Sequence, residues 1–298
     1  YLDDEITAMP NLVTVGAAGT ASTVAGIPLY SADTSSIYTT DVSGTDSTAS
    51  GNAAYGYQAM DAITTGDNNT AMGFDAMGAN TSGAANVGVG KDALKANTTA
   101  SYNTAVGFEA MTANTTGGFN VAIGKTALAA NTTGARNLAI GYEAYQASDT
   151  ENDNVAIGFQ AMGVDTAGGT KNVALGNYVL DALTSGDDNV GVGHSALGAN
   201  TAGGQNTAIG KGALTTVSTG SLNTAVGYEA LNANTGVRNT AVGIEAGLTM
   251  TDGEKNTFIG ERAGRLATGD NNTFVGSQAG TTTSTGVSNV GIGVKALE

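Results

Sequence analysis

Residues 103–119 read NTAVGFEAMTANTTGGF, and the chain writes this passage out again in both directions. Immediately before it stands NVGVGKDALKANTTASY (86–102), and immediately after it NVAIGKTALAANTTGAR (120–136). Working outward, the opening Asn recurs fifteen times from Asn52 to Asn289, at spacings of 17 except for one 18 and two 16s. Counted from that Asn, the unit is Asn, Thr or Val, Ala or Gly, Val or Ile, Gly, two variable residues, Ala, Leu or Met, two more variable residues, and often Asn-Thr-Thr-Gly. Such a unit is too short for a pair of helices. It predicts one short strand, a Gly corner, a second short extended segment and a polar turn. Self-similarity at this period is the signature of a solenoid, in which each unit buries its apolar face only by stacking on its neighbours. The fold predicted is therefore all-β: a parallel β-solenoid, or β-roll, of about fifteen 17-residue coils over residues 52–298. Residues 1–51 do not follow the period and are read as an irregular N-terminal cap or attachment segment.

The fifth position is Gly in every unit, Gly107, Gly124, Gly210 and Gly227 among them, as expected where the backbone turns with positive φ or has no room for a Cβ. The first-position residues, such as Asn103, Asn120, Asn206 and Asn223, are expected to stack as an amide ladder that satisfies backbone groups at a corner. Period-two alternation puts the second and fourth positions on one side of the strand and the third on the other. One side fills the coil. The other, repeated coil after coil, presents an apolar stripe larger than a soluble monomer usually exposes, which predicts that another copy of the chain covers it. A flat two-layer coil that buries the fourth position and exposes only Ala is the alternative. Packing register shows in a volume exchange: units with Phe at the third position, Phe258 and Phe274, carry Gly at the ninth, Gly264 and Gly280. Gly88, Gly191 and Gly291 instead accompany Leu94, Leu197 and Leu297, so the two positions are expected to touch within a coil or between adjacent coils.

Composition narrows the chemistry. Eleven Lys plus Arg against 26 Asp plus Glu give a net charge of −15, which repels phosphate backbones and argues against nucleic-acid binding. With no Cys, disulfides, thiolate metal sites and cysteine nucleophiles are all excluded. No apolar run approaches the length of a membrane span, so membrane insertion is not expected. The chain opens on Tyr1 rather than Met and stops in phase within its fifteenth unit at Glu298, which reads as a processed product or a fragment of a longer one.

NTAVGFEAM, NVAIGKTAL, NLAIGYEAY, NTAIGKGAL and NTAVGYEAL resemble the head repeats of YadA-like trimeric autotransporter adhesins, over about five-sixths of the chain. The adhesin unit is shorter. The longer unit here, with its Asn-Thr-Thr-Gly turn, is closer to repeats of phage tail-fibre and tail-spike proteins. The resemblance implies a left-handed parallel β-roll, three chains around one axis as a homotrimeric prism, and a role in attachment. It also implies as partners other virion or fibre proteins and a host surface receptor, a glycan among the candidates. The location implied is extracellular, on a virion or a bacterial surface. Fifteen coils would make a stiff rod on the order of 70 Å long.

Candidate chemical sites are few. His194 is the only histidine and sits at a variable sixth position, so neither a triad nor a zinc site can be assembled around it, and no enzyme activity is expected. The seventh-position acids Asp75, Asp92, Glu109, Glu143, Glu229 and Glu245 read as a solvated acidic edge. No cofactor is expected; calcium is the one ion the acidic turns could hold, through Asp67, Asp187, Asp188 and Asp270, although none of them matches an EF-hand loop. Asn97, Asn114 and Asn131 head formal glycosylation sequons that the repeat itself explains, and their turns could form an outer polar ladder. A regular Thr array makes an ice-binding solenoid the remaining functional class.

Overall fold

The computed structural model describes residues 48–164, 169–282 and 285–298 in full, together with three earlier strands. Those strands are β1 (Ser22–Val24) and β2 (Ile27–Leu29), which pair antiparallel, and β3 (Ile37–Tyr38). The rest of residues 1–47 lies outside the described residues. The chain divides into two compact units, Tyr1–Ala135 and Arg136–Glu298.

In the first unit, β3 to β8 follow one another as parallel neighbours: β4 (Ala53–Tyr55), β5 (Thr70–Met72), β6 (Val87–Val89), β7 (Thr104–Val106) and β8 (Val121–Ile123). Because β3 pairs with β4, the ladder starts one strand before the first repeat Asn. The second unit continues the pattern with β9 (Leu138–Ile140), β10 (Val155–Ile157), β11 (Val173–Leu175), β12 (Val190–Val192) and β13 (Thr207–Ile209). It closes with β14 (Thr224–Val226), β15 (Thr240–Val242), β16 (Thr257–Ile259), β17 (Thr273–Val275) and β18 (Val290–Ile292). Within each unit the repeat strands pair between equivalent positions, as in Thr207↔Thr224, Ala208↔Ala225 and Ile209↔Val226. The fold is thus an all-β parallel solenoid. Among the described residues, β4–β8 open five coils in the first unit, β9–β17 open nine in the second, and β18 opens a fifteenth.

The strand orientation settles which residues make the core. Third-position Ala105, Ala122, Ala208 and Ala225 are fully buried, whereas Thr104 and Val106 on either side of Ala105 are only half-buried. The two-layer alternative, with Ala outside, is therefore incorrect. Its failure is one of size: the eighth and ninth positions already fill the coil, as Ala110 and Met111 do at 0% exposure, and leave room opposite them only for a small side chain.

The second extended segment expected after the Gly corner is absent as well. Residues there form a run of turns, with left-handed backbone at the seventh and ninth positions, as at Glu109 (φ 53°) and Met111 (φ 52°). A strand would send Ala110 and Met111 to opposite faces, and both must point inward. Alternating the backbone hand achieves this while leaving N–H groups aimed at the next coil: Met111 N donates to Ala127 O at 3.0 Å and Ala113 N to Ala129 O at 3.1 Å.

Fifth-position glycines have no alternative. Gly107 has φ +141°, and a Cβ on it would fall 2.3 Å from the carbonyl oxygen of Gly124 in the next coil. At the core, a Cβ on Gly264 would meet the Phe258 ring at 2.5 Å, and one on Gly280 the Phe274 ring at 2.4 Å. Gly247, in the preceding coil, clears the other side of Phe258, and the two rings stack at 5.7 Å. Gly291 packs against Leu297 of its own coil, whereas Gly88 faces Met77 and Gly191 faces Val179, both in the coil before.

Candidate functional site

Two buried Asn columns hold the coil corners. In the first, the backbone N–H of Asn103 donates to Asn86 Oδ1 at 2.9 Å, and its own Nδ2 donates to Gly117 O at 2.9 Å. Asn120 repeats this on Asn103 and Gly134, Asn206 on Asn189 and Gly220, and Asn223 on Asn206 and Gly236. All four side chains are 0% exposed, so they are structural amides with no surface for a ligand.

The second column lies at the twelfth position. Asn80, Asn97, Asn114 and Asn131 are fully buried and linked by Nδ2 to Oδ1 bonds of 2.8–3.0 Å, so this ladder runs inside the coil, not outside as the sequence suggested. Burial also removes these side chains from glycosylation. The ladder ends at Asn131, whose Oδ1 has no partner among the described residues. Elsewhere the twelfth position carries Asn again at Asn200 and Asn234, Ser at Ser148, or an apolar residue at Ile63, Leu183, Val217, Met250 and Ala267, all at 0% exposure. That exchange of Asn for apolar residues was the sequence signal of an interior position. Threonines beside the Asn do face outward, and Thr81, Thr98 and Thr115 each donate Oγ1 to the carbonyl one coil on.

The acidic turns turn out to be capping devices. Asp67 Oδ1 accepts from Ser50 N at 2.8 Å, Asp187 Oδ1 from Thr170 N at 2.8 Å and Asp270 Oδ1 from Glu254 N at 2.9 Å. Ser101 and Ser221 do the same for Ala84 and Gly204, which is why Asp and Ser interchange there. Asp188 is exposed on the outer surface. Shallow depressions of about 380 and 280 Å³ run along this edge, the first lined by Asp252, Glu254 and Asp270, the second by Asp187 and Asp188. Among the described residues no group of three or more metal-ligating side chains converges.

Several seventh-position acids are ion-paired. Lys95 Nζ reaches Asp75 at 2.8 Å and Asp92 at 3.2 Å, and Glu245 binds Arg262 at 2.9 Å and Arg265 at 3.0 Å. Burial pushes the Asp92 carboxyl up, but hydrogen bonds from Lys91 and Lys95 outweigh it and hold the group below the usual carboxylate range. Glu245 is likewise lowered, first by its hydrogen bond from Arg262. His194 is exposed, shares a 2.9 Å hydrogen bond with Ser195 Oγ and meets the Tyr178 ring edge-on.

Among the surfaces available to a partner are the outer strand face and its two margins. On the face, Met72, Leu175, Ile209 and Ile259 are 41–51% exposed. Along one margin runs the sixth position, where Tyr57 stacks on Phe74, Lys91 lies between Phe74 and Phe108, and Tyr142 stacks on Phe159. These rings stack on each other, so they present edges rather than faces to solvent. Along the other margin runs the residue just before each repeat Asn, including the stacked pair Tyr102 and Phe119. No family model matches the chain, and no curated protein or solved structure matches it significantly.

Proposed function

We propose that this chain is a non-catalytic structural and attachment protein, the shaft or head of a fibre that assembles as a homotrimer. The observation that carries the reading is the outward strand face of each unit, where the second and fourth positions, mostly Thr, Val, Ile and Leu, repeat in register and stay partly exposed in a single chain. A face of this length is aggregation-prone unless a partner covers it, and a second and third copy supply a matching surface at every coil. Coil-to-coil backbone bonding along the unit edges gives such a shaft its stiffness. The setting proposed is a phage tail fibre or similar surface fibre, displayed on a virion. Margin residues would contact other fibre proteins and a host surface receptor such as a glycan. A bacterial trimeric adhesin head is the alternative, distinguished by a membrane-anchoring barrel encoded in the same gene.

Light scattering on the native protein tests this reading. A particle of three times the 29.3 kDa chain mass is expected, unchanged by chelator; a particle of one chain mass refutes it. One observation favours a second reading in that event. Thr207, Thr224, Thr240, Thr257 and Thr273 form an unbroken outward column beside Ile209, Val226, Val242, Ile259 and Val275. A monomer presenting that regular hydroxyl and methyl array is an ice-binding candidate, read by thermal hysteresis.

A further inference from the structure

The outer face has two margins, and they are not alike. In each of the fifteen coils the residue before the Asn and the residue after the Gly stand six apart, one on each side of the strand. We propose that, in the assembly proposed above and resting on that reading, the sixth-position margin of one copy lies against the pre-asparagine margin of the next, coil for coil around a closed ring.

Area is the first argument. The ten strands of the second unit, at about 4.8 Å spacing and about 10 Å wide, offer on the order of 500 Å². A stable interface takes roughly 800 Å² from each partner. In a closed ring that face is divided between two neighbours, so the strands alone fall well short, and including both margins doubles the width to about 20 Å and the total to roughly 950 Å².

Symmetry is the second. In a cyclic ring of parallel copies the contacts are heterologous, so one margin of each copy necessarily meets the opposite margin of its neighbour. A coil climbs about 4.8 Å over its whole length, and the six residues between the margins are about a third of it. The two margins of one coil therefore differ in height by less than half a coil, and equivalent coils meet.

Side-chain chemistry is the third. This pairing sets Lys255 of one copy against Glu261 of the next, Asp188 against His194, Leu222 against Tyr228 and Arg136 against Tyr142. None of the fifteen coils brings two like charges together. Such juxtaposition fixes register more than it adds affinity. Within one chain, Lys255 and Glu261 are separated by the strand from Asn256 to Gly260, about 13 Å of extended backbone.

The sequence has no Cys, so introduced thiols report unambiguously. Lys255→Cys combined with Glu261→Cys is expected to give, on mild oxidation, a covalent ring for most chains on a denaturing gel. Neither single variant should cross-link. A pair inside one chain lies beyond disulfide reach, which ends near 7 Å between Cα atoms. Gln205→Cys with Lys211→Cys is a second, equally exposed pair, expected to behave alike. The proposal is overturned if the particle keeps its multi-chain mass while both pairs stay uncross-linked. It is also overturned if Arg238→Cys with Glu261→Cys, one coil out of step, links instead, or if single variants link to themselves. A native mass of one chain overturns the assembly reading along with it.

Discussion

At the residue scale, space rather than chemistry decides most identities. Gly264 carries two constraints at once: left-handed backbone at φ +58° and the Phe258 ring where a Cβ would go. Gly264→Ala is expected to destabilise the protein by about 2 kcal/mol or more, from overpacking. Phe258→Ala should cost less in the Gly264→Ala background than alone, giving a coupling of about 0.5–3 kcal/mol in chemical denaturation, as for residues sharing one cavity. Strict additivity would mean that the ring is not what the glycine accommodates. The reciprocal Phe and Gly pattern was visible in the sequence because both partners belong to one unit. Gly247 was not, because it serves the Phe of the following coil, and only stacking brings them together.

At the scale of the element, each coil edge works as a column and must be judged as one. Asn97 accepts a bond from Asn114 and donates to Asn80 and to the Ala100 carbonyl. Asn97→Leu alone should cost about 1–3 kcal/mol, because buried amides above and below lose partners. Replacing Asn80, Asn97, Asn114 and Asn131 together by Leu is expected to cost less than four times the single change. Leu183 and Ile63 already occupy the equivalent buried position. Thermal unfolding of the two variants checks this, and a quadruple variant that loses four full increments would show that the ladder is not replaceable as a block. Sequence reading placed this column outside, misled by the polar Thr-Thr that follows. Thr and Asn are adjacent in the chain yet point to opposite sides of the coil wall.

At the scale of the whole molecule, the outward face should decide association without touching the solenoid core. Ile209→Lys with Val226→Lys introduces two buried-in-assembly charges on neighbouring strands whose inner residues, Ala208 and Ala225, are untouched. The double variant is expected to reduce the native mass to one chain while leaving the far-ultraviolet β signal unchanged. An unaltered mass would place the contact between copies on some other surface.

The period, the Gly corner and the parallel stacking of like positions were legible in the recurrence of the 103–119 unit along the chain, because a repeat that cannot bury its own face has to stack on its copies. The inward direction of the third position was not, since Ala and Val alternate on both faces and period-two patterning carries no sign. Nor was the turn run at positions six to nine, where Ala110 and Met111 both point inward only because the backbone alternates hand at Glu109 and Met111. Handedness of single residues depends on which neighbours they must reach in the next coil. That is a property of the stack, decided when the coils close on one another and not within any one of them.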